Sequence, residues 1–262
     1  MRLSRERRTR AVLLLSSSLA SLSVSPAIAG RLPTDVVPTS QAIHLRLDAD
    51  KPDYSGSVRV DLEVRQPTRT IQLNSDGQKL EQVTLWQKGK AIPVAHEPGE
   101  RGLLTLTAER PLARGAATLE IRFSHAFNTQ AVSLYRMEKE GQGYLFTQFE
   151  AEHARQAFPC WDEPSFKIPY QMTLEVPEAS QALFNTPIER QTVASGWRTL
   201  VFKKTPPLPS YLLAIATGPL EFTPIPGTAP RRCRKKLPPC HVRAAIAPTA
   251  PSFVTSNSAY PA

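Results

Sequence analysis

Short segments in which apolar and polar residues alternate recur along most of this sequence. The clearest lie at residues 43–47, 58–64, 119–123 and 170–176. Successive side chains of a β-strand point to opposite faces, so this period-two pattern is typical of strands that bury one face. No segment has the apolar spacing of an amphipathic helix of three turns. The pattern predicts an all-β fold, either a β-sandwich or a large curved sheet, rather than βαβ units.

Shorter apolar runs and turn residues divide the rest of this region. Lys88-Gly89-Lys90 predicts a hairpin turn, and residues 128–143 are expected to form a polar connection without strands. About 200 residues of alternating strand are enough to bury a sizeable core. The shorter predicted strands lie at 71–73, 83–86, 92–94, 104–106, 200–202 and 212–216.

The first 29 residues have the composition of a secretory signal peptide. Five arginines precede residue 11, an apolar run covers residues 11–24, and Ala27-Ile28-Ala29 supplies small residues for cleavage before Gly30. The alternative is an uncleaved membrane anchor, but the run is short and rich in serine for a span of about 20 residues. We therefore expect export, periplasmic or secreted, without a stable membrane anchor.

The net charge of +9 would ordinarily suggest nucleic acid as a partner, but its distribution argues against one. The predicted signal peptide carries +4 and residues 228–262 carry +6, which leaves −1 for residues 30–227. Residues 228–262 hold six prolines and no acidic residue, which predicts a disordered basic tail. We explain the composition of this tail by a change of reading frame near Gly227. A genuine disordered basic tail is the alternative. The predicted domain is therefore residues 30–227.

Residues 147–177 combine more chemically distinctive residues than any other stretch. Gln148 and Glu150 lie two apart at what the pattern predicts to be a strand end, where both side chains would share one face. Pro159 and Pro164 bracket the segment that follows, so it is expected to be a fixed loop rather than a helix.

Five segments of this region carry distinctive motifs. They are SLYR (133–136), TQFE (147–150), ARQAFPCWDEP (154–164), LFNTP (183–187) and TPPLPSYLLA (205–214). These motifs resemble those of the N-terminal domain of the aminopeptidase N family of zinc metallopeptidases, peptidase family M1, in which GLYR stands at the place of SLYR. The similarity covers residue 32 to about residue 225. It implies a saddle-shaped β domain that lends residues to a peptidase site built mostly by the next domain.

By this resemblance, Gln148 and Glu150 contact the substrate, the amino end of a peptide. A carboxylate beside an α-ammonium group makes a charge-assisted hydrogen bond, which suits an enzyme that removes N-terminal residues. The alternative is that both residues only cap a strand in solvent. Arg155, Asp162 and Glu163 are expected to be structural residues that hold the loop.

The sequence contains no recognisable zinc motif. Zinc is the cofactor of the intact family, and a site of the H-E-x-x-H type needs two histidines four residues apart on a helix. We therefore predict no metal ligands and no catalytic residues in this chain. Cys160 is expected to be a small buried packing residue rather than a nucleophile. The five histidines, none four residues from another, are His44, His96, His125, His153 and His241.

The leading hypothesis is therefore the substrate-contacting domain of an exported zinc aminopeptidase, inactive by itself because the catalytic domain is missing. Two alternatives remain open at this point. One is a stand-alone periplasmic β-sandwich that binds peptides. The other is a fragment that stays unfolded because a large interface is exposed.

Overall fold

The predicted all-β architecture is confirmed by a computed structural model, which describes residues 31–224 and 242–244. The described residues form seventeen β-strands and three single turns of 3-10 helix, with no α-helix among them. No helix in these residues is long and apolar enough to cross a membrane. The predicted signal peptide, and the predicted tail apart from Val242–Ala244, lie outside the described residues.

The strands are numbered in chain order. They are β1 (Val36–Arg46), β2 (Asp53–Val64), β3 (Thr68–Asn74), β4 (Lys79–Gln87), β5 (Lys90–Ile92), β6 (Val94–Pro98), β7 (Leu103–Leu112), β8 (Gly115–Ala126), β9 (Ser133–Lys139), β10 (Gln142–Gln148), β11 (Tyr170–Pro177), β12 (Gln181–Leu183), β13 (Ile188–Ala194), β14 (Trp197–Phe202), β15 (Ala216–Gly218), β16 (Phe222–Pro224) and β17 (Val242–Ala244). The 3-10 turns are Glu100–Gly102, Ala154–Gln156 and Ser210–Leu212.

One large sheet and two smaller sheets make up most of the fold. The large sheet has eight strands in the order β13-β14-β11-β1-β2-β8-β4-β5. A four-stranded sheet has the order β12-β15-β10-β9, a three-stranded sheet has the order β3-β7-β6, and β16 pairs with β17. All neighbours are antiparallel except β1 and β11, which run parallel.

The core lies along one face of the large sheet, as the alternation predicted. Val60 on β2 faces Leu119 on β8, and both side chains are fully buried. Leu45 on β1 is buried in the same layer. Phe123, near the far end of β8, is fully buried as well. Burial of such apolar side chains supplies most of the favourable free energy of folding.

The prediction of a polar connection at residues 128–143 is wrong, because β9 and the start of β10 form a hairpin there. The turn between them uses Glu140 and Gly141, both with positive φ. Tyr135 and Met137 make the outer face of this hairpin apolar. The sequence therefore lacks the alternation of buried apolar and exposed polar residues from which the other strands were predicted.

The prediction of a strand at residues 212–216 is also wrong. Ser210–Leu212 is a turn of 3-10 helix, in which the Leu213 N–H donates to the Ser210 carbonyl at 3.0 Å. The strand β15 starts only at Ala216. A further strand, β13, was not predicted, because all of its side chains are exposed and their burial does not alternate.

Candidate functional site

Gln148 and Glu150 lie next to each other at the end of β10. Gln148 is the last residue of that strand, whereas Glu150 lies in the turn that follows, and both are exposed. The expectation that both residues belong to the strand is therefore wrong for Glu150. The two residues remain linked, because the Glu150 N–H donates to Gln148 Oε1 at 3.1 Å. The result is an exposed amide and an exposed carboxylate two residues apart.

The residue between them anchors this turn in the core. Phe149 is 2% exposed and packs edge-on against Phe158, with ring centroids 5.8 Å apart and an interplanar angle of 87°. On the strand side, the Ile215 N–H donates to Thr147 Oγ1 at 2.8 Å. On the other side, the His153 N–H donates to the Phe149 carbonyl at 2.9 Å. These contacts fix the backbone on both sides of Glu150.

A buried ion pair holds the loop that follows. The backbone N–H and Nε of Arg155 both donate to Asp162 Oδ2 at 3.1 Å. Nη2 of Arg155 donates to the Asp162 carbonyl at 2.9 Å. The two side chains are 11% and 1% exposed, so water screens this pair very little.

Residues far away in sequence complete the shell around this pair. The Ser210 hydroxyl donates to the second carboxylate oxygen of Asp162. The Asp162 N–H donates to Asn74 Oδ1 at 3.1 Å, and Arg155 Nη1 donates to the Arg101 carbonyl at 3.1 Å. Buried polar groups with this many partners rigidify the segment that carries them. The predicted structural role of Arg155 and Asp162 is confirmed.

Glu163 also makes a structural contact, because its Oε1 accepts a hydrogen bond from the Leu32 N–H at 2.6 Å. Glu152 lies 3.3 Å from Arg155 Nη2 and 3.8 Å from Arg101 Nη2. Within residues 31–224, no basic side chain forms an ion pair with Glu150. Glu150 is therefore the acidic residue of this turn that is free to meet an external cation.

Cys160 is fully buried, as expected for a packing residue. Its backbone exchanges two hydrogen bonds with that of Asn74, at 2.8 and 2.9 Å. Burial, reinforced by Asp162, raises the pKa of the Cys160 thiol. Since the thiolate is the nucleophilic form, this environment does not suit nucleophilic chemistry.

The described residues do not fit a zinc site. No three His, Cys, Asp or Glu side chains within residues 31–224 come close enough together to hold a metal ion. His44 Nε2 lies 3.1 Å from Glu175 Oε1. Burial lowers the pKa of His125, although Asp76 acts in the opposite direction. Cys233, Cys240 and His241 lie outside the described residues.

Sequence reasoning missed two residues that organise the site. Asn74 and Ser210 contact the loop from other elements. Asn74 lies 88 residues from Asp162 in the chain and Ser210 lies 48 residues away. Only the position of Ser210 inside the segment 205–214 signalled a role, since nothing local links a serine or an asparagine to a distant carboxylate.

The fold and this site define a β-sheet domain that presents an amide and a carboxylate beside a buried Arg–Asp pair. The sequence model of the Peptidase M1 N-terminal domain matches residues 37–212, most of the described chain. The chain therefore belongs to the peptidase M1 family through its N-terminal domain, which confirms the resemblance found from the motifs.

Relatives in several organisms carry the same region. Aminopeptidase M1-D of Oryza sativa subsp. japonica is 34% identical over 196 residues, 73% of this chain and 22% of the relative. Aminopeptidase N of Acetobacter pasteurianus is 32% identical over 199 residues, 74% of this chain and 56% of the relative. Glutamyl aminopeptidase of Sus scrofa is 28% identical over 199 residues, which are 71% of this chain and 21% of the relative. The chain thus spans about a fifth of the rice relative and just over half of the bacterial one.

Proposed function

We propose that this chain is the substrate-contacting N-terminal domain of an exported zinc aminopeptidase. In this proposal Gln148 and Glu150 receive the amino end of a peptide. The observation that carries it is the exposed pair at the end of β10, with Glu150 free of ion pairs in the described region. The aminopeptidase names of the relatives support the choice of reaction.

The chemistry of recognition follows from the two side chains. The Glu150 carboxylate accepts a charge-assisted hydrogen bond from the α-ammonium group, and the Gln148 amide accepts or donates beside it. Because an internal peptide bond has no ammonium group, a site of this kind selects the first residue of a chain. The fixed backbone around Phe149 keeps both groups in place before the peptide arrives, which limits the entropy lost on binding.

A first prediction concerns binding of a free amine. Glu150→Gln keeps the size of the side chain but removes its charge, so it should weaken binding of a peptide with a free amino end to the full chain. The expected loss is about 1.5–3 kcal/mol, the usual contribution of a hydrogen bond to a charged group. Isothermal titration calorimetry or NMR titration with a short peptide measures it.

Two controls sharpen this measurement. Glu140→Gln removes the same charge from an exposed hairpin turn and should leave the affinity unchanged. The N-acetylated peptide should bind the wild-type chain as weakly as the free peptide binds the Glu150→Gln variant. Equal affinity of free and acetylated peptides for the wild-type chain would contradict the proposed role of Glu150.

A second prediction is that the chain alone does not hydrolyse peptides. Hydrolysis in a zinc aminopeptidase needs a metal-activated water, and the described residues bring together no set of ligands for the ion. The full chain incubated with zinc should therefore release no p-nitroaniline from amino-acid p-nitroanilides. Sustained turnover that a chelator abolishes would show that the chain carries a catalytic site of its own.

A further inference from the structure

The eight-stranded sheet has a polar face on the side away from the core. Leu45, Val58 and Ile121 are buried on β1, β2 and β8, so the residues that alternate with them point outward. Five outward residues stand directly opposite one another and form a row across five neighbouring strands. From β11 to β4, they are Thr173, His44, Ser57, Arg122 and Gln82. Every side chain in this row can form hydrogen bonds.

A groove, which we name the outer groove, lies over this row. Its two parts have volumes of about 250 and 340 Å³, and they are connected, because His44, Ser57 and Arg122 line both. The positive and negative side chains of the groove are equal in number when His44 is neutral. The charged lining residues besides His44 are Arg46, Arg59, Arg122, Glu81, Glu120 and Glu175. The outer groove is therefore polar but has no excess of positive charge to attract a polyanion.

Four of these six charged side chains form ion pairs inside the groove. Arg59 pairs with Glu120, which stands directly opposite it on β8. The Glu175 carboxylate on β11 lies 3.5 Å from Arg46 Nη1 and 3.1 Å from His44 Nε2. These four charges are therefore already compensated.

The other two charged residues of the groove are Arg122 and Glu81. Both are exposed, Arg122 on β8 and Glu81 at the register shift of β4, just before Gln82. Within residues 31–224 neither forms an ion pair, so the Arg122 guanidinium is more than 4.0 Å from the Glu81 carboxylate. One positive and one negative group thus line the same part of the outer groove without neutralising each other.

We propose that the outer groove binds a free α-amino acid in its zwitterionic form. The carboxylate of the ligand contacts Arg122, whose planar guanidinium suits bidentate hydrogen bonding to a carboxylate. The ammonium group of the ligand contacts Glu81, which accepts a charge-assisted hydrogen bond. The Ser57 hydroxyl group, on the residue directly opposite Arg122, lies beside the ligand carboxylate. This inference does not rest on the proposed function, because Gln148 and Glu150 are not among the residues that line the groove.

The spacing of the two charged residues favours this ligand over larger or more highly charged ones. Gln82 stands opposite Arg122, so Glu81 lies on the adjacent strand, and adjacent strands are about 4.8 Å apart. A single amino acid carries both charges on one Cα, whereas each further residue of a peptide separates its two termini by up to about 3.6 Å more. A phosphate dianion is repelled by Glu81 and Glu120, which line the same groove.

The test is an NMR titration of the full chain with glycine, followed at the backbone amide signals of Ser57 and Gln82. These two residues flank Arg122 on the adjacent strands. Glycinamide lacks the carboxylate and N-acetylglycine lacks the ammonium group, so each should bind at least about tenfold more weakly than glycine. A factor of about ten is the low end of the loss expected when one hydrogen bond between charged groups is removed.

Two variants assign the binding to the proposed residues. Arg122→Gln and Glu81→Gln should each weaken glycine binding at least about tenfold, for the same reason. The matched controls are Arg110→Gln and Glu97→Gln, which remove the same charges from exposed positions of the three-stranded sheet and should leave the affinity unchanged. Thermal unfolding of all four variants shows that each is folded.

Three outcomes would overturn the proposal. The first is a wild-type chain whose Ser57 and Gln82 signals do not shift with glycine. The second is binding of N-acetylglycine or inorganic phosphate as tight as that of glycine, which would assign the groove to simple anions. The third is loss of the glycine shifts in the Glu150→Gln chain, which would place glycine at the proposed peptide site instead. Failure of the peptide titration with intact glycine binding would overturn only the proposed function.

Discussion

Replacing Asp162 with alanine is expected to lower the free energy of unfolding by about 3–5 kcal/mol, the cost of breaking a buried ion pair by removing one partner. The change leaves the guanidinium of Arg155 in the interior without its carboxylate, and it also removes the acceptor of the Ser210 hydroxyl. Urea unfolding followed by tryptophan fluorescence measures the difference.

A matched control for this change is the exposed ion pair between Arg59 and Glu120. Its side chains are 57% and 42% exposed, so Glu120→Ala should cost no more than about 1 kcal/mol. A double variant, Arg155→Met with Asp162→Leu, removes both charges and should recover part of the lost stability. If Asp162→Ala and Glu120→Ala cost the same, the buried pair does not hold the loop.

Replacing Phe149 with alanine is expected to cost about 3–5 kcal/mol, the range for truncating a buried phenylalanine. The side chain is 2% exposed and loses its edge-on contact with Phe158, so a cavity remains under the turn. Because Phe149 separates Gln148 from Glu150, the same variant should also weaken binding of a peptide with a free amino end. Urea unfolding and the peptide titration described above measure the two effects.

Two further variants separate these effects. Phe149→Leu preserves most of the apolar volume, so it should cost less stability and retain most of the peptide affinity. Trp86→Ala removes an aromatic side chain that is 38% exposed and should change stability by about 0.5 kcal/mol or less. A Phe149→Ala chain that keeps full peptide affinity would contradict the idea that this residue positions Glu150.

Much of the fold could be predicted from the sequence because alternation reports which side of a strand is buried. The strands around Leu45, Val60 and Leu119 follow the predicted pattern closely. The β9–β10 hairpin could not be found in this way. Its outer face carries the apolar residues Tyr135 and Met137, whereas its inner face carries Arg136 and Glu138 beside Leu134. Polar and apolar residues therefore do not separate cleanly between the two faces.

The candidate site was predicted only in part. The motif TQFE identified Gln148 and Glu150, and the two prolines correctly excluded a helix after them. The sequence did not predict that β10 ends at Gln148 and leaves Glu150 in a turn. Directly after that boundary, Phe149 is buried against Phe158, a contact that only the folded chain brings about.

The sequence by itself determined the all-β class, the M1 family and the residues that bear the candidate chemistry, because each leaves a local pattern of spacing or motif. The tertiary structure alone decided which strands meet and what closes around Asp162. The parallel pairing of β1 with β11 and the contacts of Asn74 and Ser210 with Asp162 join residues 48 or more positions apart. Such contacts depend on the packing of whole sheets, which no short stretch of sequence encodes.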